Sequence, residues 1–151
     1  MELPNGITGI FDSLVNRPPE MNGSEFKKLC KDAALRKNGY LIDFIPPYFR
    51  SNYYNAYIEA SGEKFYVLMN QHYPLIAFAS RVELGELEFT NPPVSILDQF
   101  EPYYFILTTD ILETPLTDEM ILGSGLNQSE KNALRKHGVC TYGRTVFNCM
   151  N

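Results

Sequence analysis

The clearest pattern in the chain lies between Ser24 and Gly39. Phe26, Leu29, Cys30, Ala33 and Ala34 recur at i, i+3, i+4, i+7 and i+8, one apolar stripe on a helix. Lys27, Lys28, Lys31, Arg36 and Lys37 take the other faces, and the last two suit the negative end of the helix dipole. Ser24 is the expected N-cap, and Asn38-Gly39 the left-handed stop. Upstream, Ile7, Ile10, Phe11, Leu14 and Val15 carry the same spacing. Residues 1–23 are therefore an arm or a short amphipathic helix ended by Pro18-Pro19.

Beyond Gly39 the grammar changes to strands. Tyr40–Ile45 is a β-prone run stopped by Pro46-Pro47, and Tyr53–Ala60 and Glu63–Asn70 flank Ser61-Gly62 as a hairpin. Leu75–Ser80 follows, and in Glu86–Thr90 acidic and apolar residues alternate, the mark of a half-buried strand. After Asn91-Pro92-Pro93, Val94–Phe100 reads as one or two helical turns with Val94, Leu97 and Phe100 inward. Tyr103–Thr108 reads as a further strand. Thr117 caps a short helix, and Asn127-x-x-Glu130 opens another that ends at His137-Gly138. Val146 and Phe147 dock back on the body. The expectation is one α+β domain over residues 1–151, an antiparallel sheet of about five strands with helices packed on one face.

Composition sets limits on function. With 151 residues and 44% apolar side chains, the chain can bury a core, which excludes bulk disorder. No apolar run approaches the ~18 residues of a membrane span, so no membrane partner is expected. Met1–Ile10 lacks a basic region followed by an apolar one, and the three cysteines form no CxxC pair; both point to a cytoplasmic protein.

Charge is the strongest compositional signal. The net charge of −5 belongs entirely to residues 76–151, and no Lys or Arg occurs between Arg81 and Lys131. That interval holds Glu83, Glu86, Glu88, Asp98, Glu101, Asp110 and Glu113 among its carboxylates. Such a field repels phosphate, so nucleic acid is not an expected partner, and it attracts a basic protein surface. A solubilising face is the plainer explanation of the same charges.

No assembled catalytic chemistry is visible. His72 and His137 are far apart in sequence, and His137 with Cys140 supplies fewer ligands than zinc needs. Gly123-Ser124-Gly125 lacks the spacing of a nucleophile elbow, and both phosphate-loop patterns are absent. No catalytic residue, metal or cofactor is assigned, and the chain is read as no enzyme. The tyrosines, among them Tyr53, Tyr54, Tyr57, Tyr66, Tyr73, Tyr103 and Tyr104, divide between core and protein interface.

Several phrases together resemble a known group. Tyr66–Asn70 (YVLMN), Pro74–Ser80 (PLIAFAS), Glu86–Pro93 (ELEFTNPP), Ile106–Thr117 (ILTTDILETPLT) and the Gly-x-Thr-Val-Phe-Asn run of Gly143–Asn148 are similar to small bacterial immunity proteins of polymorphic or contact-dependent toxin systems. Cys149-Met150-Asn151 stands where such proteins often carry an aromatic followed by an acid. The resemblance covers roughly residues 64–151. It implies an intracellular inhibitor, a monomer or weak dimer, that neutralises a cognate toxin domain such as a basic nuclease by binding it.

With the charge pattern, it makes Glu83, Glu86, Glu88, Asp98, Glu101, Tyr103, Asp110 and Glu113 the expected partner-binding set. Two other readings stand beside it. One is a small-ligand-binding or regulatory module with tyrosines lining a pocket. The other is a cysteine hydrolase using Cys140 or Cys149 with a nearby histidine.

Overall fold

The computed structural model describes residues 2–12, 14–48, 51–83, 86–138 and 140–148. Its first regular element is helix α1 (Gly23–Arg36), whose buried residues are Phe26, Cys30, Ala33 and Ala34. The cap is Asn22, not Ser24: the Asn22 side chain accepts the Glu25 amide at 3.1 Å. At the far end Asn38 takes φ +58°, as the Asn-Gly stop requires. Gly39 then passes so close to the chain at Glu59 that a Cβ there would come within 1.7 Å of the Glu59 carbonyl.

Five antiparallel strands follow in meander order: β1 (Tyr40–Ile45), β2 (Tyr53–Ala60), β3 (Glu63–Asn70), β4 (Leu75–Glu83) and β5 (Glu86–Thr90). The β2–β3 turn is the expected one, with Ser61 at φ +52° and Gly62 at φ +79°. Strand β4 runs three residues beyond the expected Ser80. The run at Tyr103–Thr108 shrinks to β6 (Phe105–Ile106), which pairs parallel to Leu75 and Ile76 of β4. A 3-10 turn (Val94–Ile96) leads into α2 (Leu97–Phe100). Ile96 and Phe100 are the buried residues here, while Val94, expected inward, is 84% exposed.

The chain closes with α3 (Thr109–Leu112), α4 (Asp118–Leu122), α5 (Gln128–His137) and α6 (Tyr142–Val146). Thr117 caps α4, and Asn127 with Glu130 forms the capping box of α5.

The α+β class and the antiparallel meander agree with expectation; the placement of helices on one face does not. Two hydrophobic clusters form, one on each side of the sheet. Phe65, Val67, Met69, Ile76 and Phe78 face α1 and α2. Leu68, Ala77 and Ala79 face the C-terminal layer, where Leu107, Leu112, Leu134, Val146 and Phe147 are buried. The reason is that β3 and β4 are apolar on both faces, and each buried Leu or Phe side chain contributes roughly 1.5–3 kcal/mol when covered. One helical layer leaves half of that gain unrealised.

Residues 2–12 form an arm with turns, not a helix. Gly6 and Gly9 sit at φ +80° and +87°. The amides of Gly6 and Thr8 donate to the buried Glu130 carboxylate, at 2.8 and 2.9 Å, instead of to helical carbonyls. Ile7 is buried, while Leu14 and Val15 stay 93% and 73% exposed. Asn52 and Asn70 each donate to the carbonyls of Ile7 and Val146, and so join the arm to the end of α6.

Candidate functional site

The C-terminal layer covers the strands of the sheet unequally. One cross-strand row reads Asp43, Tyr57, Tyr66, Ala79 and Phe89, from β1 to β5. Opposed residues share a face, so the row samples one side of the sheet from edge to edge. At its β5 end, Phe89 packs on Phe147 with ring centroids 6.0 Å apart. At its β1 end Asp43 is exposed, and Tyr57 and Tyr66 are partly exposed. Tyr40 and Ile45, which flank Asp43 on β1, are 52% and 46% exposed. The result is an open, tyrosine-bearing patch on β1–β3 towards the Ser61-Gly62 turn; Tyr53 and Leu68 on the same face are buried under the C-terminal layer, and Tyr66 packs against its edge.

Tyr57 and Tyr66 stack, with centroids 4.3 Å apart and planes inclined by 20°. Carboxylates surround the pair. Burial first, then Tyr57, Glu83 and Asp43, push the Tyr66 hydroxyl above its ordinary pKa, so the phenol stays neutral as a hydrogen-bond donor. Glu59 opposes Lys64 one row further along. The ring faces offer apolar area and a negative quadrupole, and the carboxylates offer acceptors. This chemistry suits Arg and Lys side chains.

The expected partner-binding residues divide among three places. Glu83, Glu86 and Glu88 come together at the β4–β5 hairpin, around Arg81. Its guanidinium lies 2.8 Å from Glu83, 3.0 Å from Glu86 and 3.6 Å from Glu88. The hydrogen bond and charge of Arg81 pull the Glu83 carboxyl below its usual range, and Glu83 in turn raises the guanidinium. All four side chains are exposed, so the cluster fixes orientation more than it stabilises the fold. Asp98 and Glu101 lie on and just after α2, on the α1 side of the sheet, with Tyr103 in the next turn. Asp110 and Glu113 lie on and after α3, in the opposite layer. The register turns Val82 and Leu87 to the tyrosine side and Glu83, Glu86 and Glu88 to the other, so within the acidic stretch it is through charge at a distance that Glu83 acts on Tyr66.

Sequence reasoning did not single out Asp43, Tyr57 and Tyr66 as a unit, although the signal was present. A two-residue turn at Ser61-Gly62 dictates that Tyr57 opposes Tyr66.

The chemistry needed by the other two readings is placed differently. Cys30 is fully buried and its thiol is pushed far up by desolvation. Cys140 contacts the Thr145 hydroxyl at 2.9 Å, and burial raises its pKa, the opposite of an activated thiolate. Cys149 lies outside the described residues. His72 is 1% exposed; its Nδ1 meets the Pro19 carbonyl at 2.8 Å and Phe11 packs edge-on to its ring. Among the described residues no group of three or more His, Cys, Asp or Glu is placed to hold a metal. An open trough of about 510 Å3 lies beside α1, lined in part by Tyr103 and Tyr104. A ligand module of the kind expected needs an enclosed apolar cavity instead. Among the described residues no helix is long and apolar enough to cross a membrane.

Compared with protein-family models, with curated proteins and with solved structures, the chain finds no significant match.

Proposed function

We propose that the protein is an immunity-type inhibitor that binds a bacterial toxin domain with a basic surface and neutralises it by contact. The observation that carries this reading is the Asp43–Tyr57–Tyr66 row, left open on a sheet face that the C-terminal layer otherwise covers. Stacked tyrosines are rigid anchors of the kind that dominate interface energies, and flanking carboxylates select a cationic partner. The acidic hairpin around Arg81 contributes field at the margin through Glu83, Glu86 and Glu88. Asp98, Glu101, Tyr103, Asp110 and Glu113 fall outside this contact area. The resemblance of residues 64–151 to immunity proteins supports the same reading.

The test pairs the protein with the variable C-terminal domain of a large secreted protein encoded beside it. Co-expression is expected to restore growth to cells making that domain, and the purified proteins to bind. Asp43→Lys and Tyr66→Ser are each expected to weaken binding by about tenfold to a hundredfold, the cost of losing an anchor of about 1.4–2.8 kcal/mol. Absence of growth rescue and of binding overturns the reading. Binding that ignores both substitutions moves the contact away from this face.

A further inference from the structure

A trough runs beside α1 on the side of the sheet away from the tyrosine row. Two depressions, of about 510 and 330 Å3, share Leu29, Asp32 and Tyr103, so they form one channel along the helix from Met21 to Arg36. Leu29 and Tyr104 supply apolar lining, and Tyr103 projects beside them, 65% exposed. Four charged residues on one side of α1, Glu25, Lys28, Asp32 and Arg36, form one wall, and Asp98 of α2 lines the trough opposite them. All four are exposed. Helical spacing would let them pair with one another along α1. Among the described residues, however, the ion pairs within 4 Å involve His72 and Arg81 and none of these four.

The order of these charges is acid, base, acid, base, and its geometry is self-complementary. Glu25 and Arg36 are equidistant from Cys30 to within one residue, and Lys28 and Asp32 are equidistant from it as well. A helix with such a stripe matches an antiparallel copy of itself.

We infer that this trough is the isologous interface of a homodimer, in which α1 of a second copy lies antiparallel along it. Glu25 faces Arg36 of the second copy, and Lys28 faces its Asp32. A twofold axis repeats each contact, so four complementary pairs form from two kinds. Leu29 lies near the axis beside its own symmetry mate and supplies the apolar centre that charges alone lack. Antiparallel packing also sets the positive end of each helix dipole beside the negative end of the other. The charge complementarity selects a second copy over an unrelated helix, whose charges would match only by coincidence. The inference does not depend on toxin binding, because the tyrosine row occupies the other face and stays open in the dimer.

Sedimentation of the full chain, from about 10 μM to 1 mM and at low and high salt, reads the association directly. The expected result is a concentration-dependent dimer that weakens with salt. Glu25→Arg alone and Arg36→Glu alone are each expected to weaken it by about tenfold or more, since each places like charges opposite one another twice. Mixed in equal amounts, the two variants are expected to recover association, because every contact in the mixed dimer is again between opposite charges. Lys28→Glu with Asp32→Lys repeats the test away from the helix cap. Circular dichroism establishes that each variant is folded. A monomer throughout the range, a dimer indifferent to both single substitutions, or a mixture that fails to recover would overturn the inference.

Discussion

Glu130 shows how one side chain can organise distant parts of the chain. Its sequence context, three residues after Asn127, announces a capping box, and the box is formed. What the context does not announce is that the same carboxylate, fully buried, also accepts from Gly6 N, Thr8 N and the Thr8 hydroxyl at 2.5–2.9 Å. Those partners are more than 120 residues away in sequence. No local pattern encodes such a contact, which is why the arm was legible as apolar spacing and not as a bound strap. An anion held by buried donors is costly to replace. Glu130→Gln keeps the volume but points an amide donor at amide donors. It is expected to lower stability by about 3 kcal/mol in urea denaturation, with Thr8→Ala costing about 1 kcal/mol. A loss below about 1 kcal/mol for Glu130→Gln would mean that the arm is not held in this way.

At the scale of elements, legibility followed local chemistry. The α1 stripe, the Ser61-Gly62 turn and both C-terminal caps could be read because each is decided within about one helical turn or one hairpin. The cap of α1 is an instructive difference, because both Asn22 and Ser24 are competent residues. The deciding feature is that the Asn22 oxygen reaches the Glu25 amide, so Gly23 becomes the first helical residue. Asn22→Ala is therefore expected to cost about 1 kcal/mol of stability, and Ser24→Ala less than about 0.5. Thermal or urea melts of the two single variants decide between the caps, and the reverse order would restore Ser24. The two-sided burial of the sheet was also written in the chain, as the unbroken run Phe65–Met69 and the run Leu75–Ala79. The expectation of one helical layer overlooked those runs, because a strand covered on both faces has no polar side to alternate with.

For the whole molecule, the sign of the charge was legible and its placement was not. Residues 83–119 are continuous in sequence, but the chain crosses from the β4–β5 hairpin to the α1 side and then to the C-terminal layer, dispersing their carboxylates. A dispersed net charge of −5 still acts at a distance, and a contact surface acts only on touching. The two roles separate in kinetics. Glu86→Lys with Glu88→Lys changes the field beside the tyrosine face without touching the Tyr57–Tyr66 stack. With a basic toxin domain as partner, this pair of substitutions is expected to slow association by about tenfold at low salt and to flatten its salt dependence, leaving dissociation nearly unchanged. Tyr66→Ser is expected to do the reverse, speeding dissociation with little change in the association rate. Stopped-flow measurements at two ionic strengths distinguish them. If the hairpin variant instead accelerates dissociation, Glu86 and Glu88 are contact residues, and the interface extends across the β4–β5 edge as far as the Arg81 cluster.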